Sequence, residues 1–142
     1  MTLAGVPPGG AEDWLSNKTD RLDKADWKNR SVPERFMFAL HGIGAAWRRE
    51  GSFRLETLCA GLALALLAYL RPPLVWWALA VLIIALVLAA ELINSAVEAL
   101  ADHLHPDLHA EIRAVKDMAA GGILVLNGAA LAILLLLLAA TL

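Results

Sequence analysis

Three long stretches of this chain carry no charge, and no other feature constrains its fold as tightly. Residues 58–70, 74–90 and 118–142 contain no Asp, Glu, Lys or Arg. The second and third run for 17 and 25 residues, against roughly 20 for an α-helix that crosses a bilayer. The first reaches back to about Phe53, with Arg54 and Glu56 at its entrance. A chain of 142 residues that is 59% hydrophobic and only 18% charged is too apolar for a soluble domain and reads as an integral membrane protein. In hydrocarbon the backbone must satisfy its own hydrogen bonds, which a helix does within one segment. The expected fold class is therefore all-α integral membrane: an N-terminal amphipathic surface helix plus three transmembrane helices, with spans at about 53–70, 74–93 and 118–141.

The charges outside these spans give an orientation. Nine of the twelve Lys and Arg residues precede Thr57, two follow Glu91, and Arg71 alone sits in the first connection, before Pro72-Pro73. By the positive-inside bias the N-terminus and residues 94–117 are cytoplasmic, and three crossings leave the C-terminus outside. Trp76 and Trp77 beside that connection read either as interfacial anchors or as helix-packing residues. Residues 1–33, with Pro7-Pro8-Gly9-Gly10 and mixed charges up to Lys28, are expected to be a flexible cytoplasmic extension of a 34–142 membrane domain. Within 34–50, Phe36, Leu40, Ile43 and Trp47 recur at helical spacing while Glu34, His41 and Arg48 point elsewhere. That pattern suits an amphipathic helix on the membrane surface or one packed on protein. A net charge of −2 excludes a broad basic surface for nucleic acid. Cys59, the single cysteine, has no internal disulfide partner and reads as a small packed hydrophobe.

Where the second span ends, its helix continues into a polar stripe. Glu91, Asn94, Glu98 and Asp102 follow at i, i+3, i+7 and i+11, which places four oxygen-bearing side chains within roughly an 80° arc of one helix face. A charge at the bilayer centre costs about 2.5–3.5 kcal/mol on insertion scales, so such residues usually pair, line a cavity or do chemistry. A solvated helix end is the plainer reading, and it suits Asp102 better than Glu91, which directly follows the apolar run. The stripe offers hard oxygen donors for Mg²⁺, which commonly shares one or two carboxylates with substrate phosphates. A carboxylate that is not a ligand is available as general base toward a hydroxyl. Arg113, Lys116 and Asp117 lie where the chain re-enters the third span, and Lys116 is placed to neutralise phosphate charge or simply to obey the positive-inside bias. His103, His105 and His109 suggest zinc only weakly, because Pro106 interrupts any shared helical face. Neither a G-x-x-x-x-G-K-[ST] loop nor a G-x-G-x-x-G turn before a helix is present, so a nucleotide site must be built otherwise.

Three blocks together carry a resemblance: Glu91-x-x-Asn94-Ser95-Ala96-x-Glu98-x-x-x-Asp102, then Lys116-Asp117-x-x-Ala120, and upstream Ala45-Ala46-Trp47-x-x-Glu50-x-x-Phe53-Arg54. In composition and spacing they resemble the prokaryotic diacylglycerol kinase family, which includes undecaprenol kinases, over about residues 34–142. The resemblance implies a lipid kinase in the bacterial inner membrane that transfers the γ-phosphoryl group of Mg-ATP to the hydroxyl of diacylglycerol. It implies Glu91 as the general base and Glu50 and Glu98 as the carboxylates that hold Mg²⁺. Asn94, Lys116 and Asp117 would complete the ATP and phosphate surroundings, and Trp47, Arg54 and Glu56 would lie along the lipid. It also implies a homotrimer with sites at subunit boundaries. Arg30 and Arg35 both stand near the family's early arginine, and Leu55 replaces a polar amide. Ala119-Ala120-Gly121 and His109 are more similar to undecaprenol kinases, whereas Ala45-Ala46-Trp47 and Met118 are more similar to diacylglycerol kinases. Undecaprenol is therefore the alternative acceptor, and a non-catalytic scaffold or a proton or cation pathway is the alternative of another class.

Overall fold

Each uncharged stretch lies in a long helix, and each helix stops where the sequence supplies a reason. The computed structural model describes residues 31–104 and 109–141. They form α1 (Val32–Arg49), α2 (Gly51–Leu70), α3 (Leu74–Leu104) and α4 (Ala110–Thr141), with no strand among the described residues. The extension expected over 1–33 lies outside the described residues except for its last three, as do His105 and Pro106 of the histidine run. The chain divides into two units, one reaching His41 and the other Gly42–Leu142.

In the first unit, Ser31 and Glu34 close the start of α1. The Ser31 backbone N–H and hydroxyl both donate to Glu34 Oε2 at 2.9 Å, one half of a capping box that satisfies a backbone donor just ahead of the helix.

In the second unit, α1 ends at a single extended residue. Glu50 (φ −104°, ψ 117°) still donates its N–H to the Ala46 carbonyl at 2.8 Å, and α2 begins at Gly51. At the far end of α2, Arg71 takes a left-handed conformation (φ 50°, ψ 48°) and its N–H caps the Leu67 carbonyl at 2.8 Å. Pro72 and Pro73 cannot donate to a continuing helix, so the chain reverses there. α3 and α4, at 31 and 32 residues, are about 46 and 48 Å long, well beyond the roughly 30 Å of bilayer hydrocarbon. The helices outrun the apolar windows that reveal them in the sequence: α3 continues 14 residues past Ala90, and α4 starts eight before Met118.

Side-chain pairs fix the directions. Ser52 meets Glu91, and Leu67 packs with Ala80, so α2 and α3 are antiparallel. Lys116 meets Asp102, and Leu137 joins the Leu67–Ala80 cluster, so α4 is antiparallel to α3 and parallel to α2. The middle helix buries one face, through Ala80, Ile83, Val87, Glu91, Asn94 and Ala101. Trp76 and Trp77 pack half-buried against the Leu67–Ala80–Leu137 cluster, which gives them a packing role within the chain. Cys59, expected to be packed, is instead exposed. Hydroxyls inside the apolar helices return to their own backbones: Thr57 to Phe53, Ser95 to Glu91 and Thr141 to Leu137, at 2.8, 2.8 and 2.7 Å.

All three long helices are apolar and long enough to cross a membrane, and only 11%, 22% and 6% of their most apolar windows are buried within the chain. Side chains such as Leu62, Leu124 and Leu136 are exposed, a surface suited to lipid or to further protein rather than to water. The chain is a membrane protein.

Candidate active site

The site grows from α3 at the point where its apolar run ends. Glu91 is 2% exposed, and its Oε1 accepts a hydrogen bond from the Ser52 hydroxyl at the start of α2. Among the described residues no cation pairs with it. One bond from a neutral hydroxyl leaves most of the acceptor capacity of this buried carboxylate unused.

One turn further, Asn94 is 8% exposed and donates from Nδ2 to Glu98 Oε1 at 3.2 Å. Its Oδ1 is buried with no hydrogen-bond partner. An unpaired buried acceptor costs about 1–3 kcal/mol, a penalty relieved by a ligand that brings a donor or a cation. Asn94 Oδ1 and the half-buried Glu98 carboxylate are adjacent hard oxygen donors, the donor type Mg²⁺ takes alongside phosphate oxygens. The residues present thus suit that ion, but as a partial set. Among the described residues no three Asp, Glu, His or Cys side chains gather as a metal cage.

The other expected residues have their own surroundings. Glu50 is half-buried at the α1–α2 junction and makes no side-chain cap. Lys116 pairs with Asp102 across α3 and α4 instead of meeting Asn94 or Glu98. Asp117 faces Arg113 at 3.8 Å on an exposed part of α4, a surface pair worth about 0–1 kcal/mol. Trp47 and Arg54 are exposed, and Glu56 is half-buried with its Oε1 accepting from Asn127 Nδ2 at 2.6 Å. His103 and His109 are both exposed.

The structure adds two residues that the sequence reading did not select. Ser52 is Glu91's partner, and its hydroxyl near a helix start carries no spacing signal. Asn127 is Glu56's partner, and the sequence did offer a signal: with Thr141 it is one of only two polar side chains in residues 118–142.

The geometry is therefore a buried carboxylate at the end of a membrane helix, an amide and second carboxylate one to two turns on, and an ion pair beyond. Comparison with known proteins gives this arrangement a context. The sequence profile described as prokaryotic diacylglycerol kinase matches residues 37–138. The chain is also similar to the diacylglycerol kinases of Escherichia coli K12 and Shigella flexneri, each 30% identical over 88 residues, covering 62% of this chain and 72% of the relative.

Proposed function

The chain belongs to the prokaryotic diacylglycerol kinase family and is a lipid kinase of that family, and from that premise we propose that it transfers the γ-phosphoryl group of ATP to the free hydroxyl of diacylglycerol, giving phosphatidic acid and ADP. The observation that carries the reading is Glu91, a buried carboxylate with a neutral partner placed where the apolar run of α3 gives way to polar residues. The acceptor hydroxyl loses its proton to Glu91 as its oxygen bonds to the γ-phosphorus, and the bond from that phosphorus to the β–γ bridging oxygen breaks. Ser52 donates to Oε1 and so holds the carboxylate while leaving Oε2 for the incoming proton.

Glu98, Glu50 and the Asn94 carbonyl oxygen would hold Mg²⁺ with the nucleotide, and Lys116 and Asp117 would complete the phosphate surroundings. When bound, the ion neutralises charge on the phosphates. The family resemblance implies a homotrimer, and in this reading its sites draw on neighbouring chains. Trp47, Arg54 and Glu56 line the approach of the lipid. The protein resides in the bacterial inner membrane with its N-terminus in the cytoplasm and its C-terminus outside, as the distribution of Lys and Arg supports.

The test is direct. Purified full-length protein in lipid bilayers is given Mg-ATP with diacylglycerol or undecaprenol, and the phosphorylated lipid is identified. Phosphatidic acid as the dominant product is expected. Preferential phosphorylation of undecaprenol would replace the acceptor, and transfer to neither lipid by folded protein would remove the reading.

A further inference from the structure

Glu56 and Asn127, both half-buried, bridge α2 and α4, and the bridge lines one end of a partly open pocket of about 400 Å³. The walls come from α2, α3 and α4 and are otherwise almost entirely hydrocarbon, including Ala63, Val87 and Leu134. The Leu67–Ala80–Leu137 cluster lines the other end. Glu56 and Leu67 are 11 residues apart on α2, so the space between the two ends extends over roughly 16 Å of helix. An ionisable group among apolar helices is costly and usually pairs or lines a cavity, and Glu56 does both.

Its position relative to Glu91 tells what it could recognise. Ser52, which bonds Glu91, and Glu56, which bonds Asn127, stand one helical turn apart on α2, a rise of about 5.4–6 Å. On α3, Val87 of the cavity wall stands one turn before Glu91. From Ser52 to Glu56 the helix heads into the uncharged residues 58–70. A molecule whose hydroxyl reacts at Glu91 therefore meets a second polar point one turn deeper, and beyond it only hydrocarbon. A glycerol ester matches that sequence of groups: a hydroxyl, ester carbonyls on the adjacent carbons, then acyl chains. A polyprenol has no polar atom after its hydroxyl, and would leave the bridge facing hydrocarbon.

Asn127 spends one N–H on Glu56 and has a second for another acceptor. Building on the reading that the acceptor hydroxyl lies at Glu91, we infer that Asn127 determines acceptor specificity: its second N–H binds an ester carbonyl of the glycerolipid, Glu56 fixes the amide, and an acyl chain fills the α2–α3–α4 cavity. Cys59, the chain's single cysteine, lines this cavity from an exposed position and reports its occupancy without reference to catalysis.

The full chain, with Asn127→Leu and Asn127→Gln beside it, is placed in bilayers, and alkylation of Cys59 by N-ethylmaleimide is timed with and without dioleoylglycerol or undecaprenol. Dioleoylglycerol slows alkylation several-fold in the unaltered protein, and undecaprenol does not. Asn127→Leu abolishes that protection and raises KM for diacylglycerol about tenfold, the loss of one buried hydrogen bond, with KM for ATP unmoved. Asn127→Gln, which keeps an amide, recovers part of both. Equal alkylation with and without dioleoylglycerol in the unaltered protein overturns the inference, as does an Asn127→Leu protein with full protection and an unchanged acceptor ratio. Protection without phosphoryl transfer upholds the site and removes the kinase reading, whereas transfer to diacylglycerol without protection removes the site alone.

Discussion

In the proposed reaction Glu91 is the base, a buried carboxylate whose hydrogen-bond partner is the neutral Ser52 hydroxyl. Glu91→Gln preserves shape, and its amide oxygen can still accept from Ser52, but it cannot take a proton from an alcohol. Phosphoryl transfer is expected to fall by about 10²–10⁴-fold, while size-exclusion chromatography shows the same assembly; near-normal turnover would remove Glu91 from its role. Ser52→Ala leaves the base but frees its side chain, and a loss of about tenfold, the worth of one hydrogen bond to a charged group, is expected in the same assay. An unchanged rate would mean that Ser52 does not position Glu91. The stripe from Glu91 to Asp102 is legible in the sequence because residue type and helical period coincide. The pairings are not: Ser52 and Glu91 lie 39 residues apart, and Glu56 and Asn127 lie 71 apart, so each depends on how the helices pack.

At the level of the helices, the stops are legible and the lengths are not. Arg71-Pro72-Pro73 announces the end of α2, whereas the Ser31–Glu34 cap at the start of α1 emerges only from the structure. Apolarity reports only where hydrocarbon ends, whereas backbone hydrogen bonding carries α3 on to Leu104 and begins α4 at Ala110. Arg71 offers a test of the α2 stop, since an L side chain at φ 50° is strained and glycine is not. Arg71→Gly is expected to stabilise the fold by about 1 kcal/mol, seen as a higher Tm of the purified protein in detergent. A lower Tm would show that the guanidinium contributes more than the backbone strain costs.

For the whole molecule, three spans follow from the sequence, but the way charged residues divide between chains does not. The three helices bury little of their own apolar surface, which leaves it to lipid or to neighbouring chains. If neighbouring chains complete the metal set, Glu50→Ala and Glu98→Ala chains are each inactive, yet regain activity when co-expressed. Random assortment in a closed ring then pairs an intact Glu50 with an intact Glu98 at about a quarter of the sites. No recovery in verified mixed assemblies would place both carboxylates in one chain's site. The length of α3 carries one more consequence. Glu91 stands 17 residues from Leu74, roughly 25 Å along a continuous rod, so the carboxylate is held at a set distance from the opposite face of the bilayer. A lipid's hydroxyl has no such tether and rides with the headgroup plane. Membrane thickness therefore becomes a variable in the reaction: a bilayer a few ångströms thicker or thinner slides the acceptor past its base by about two residues' rise unless the helices tilt to follow it.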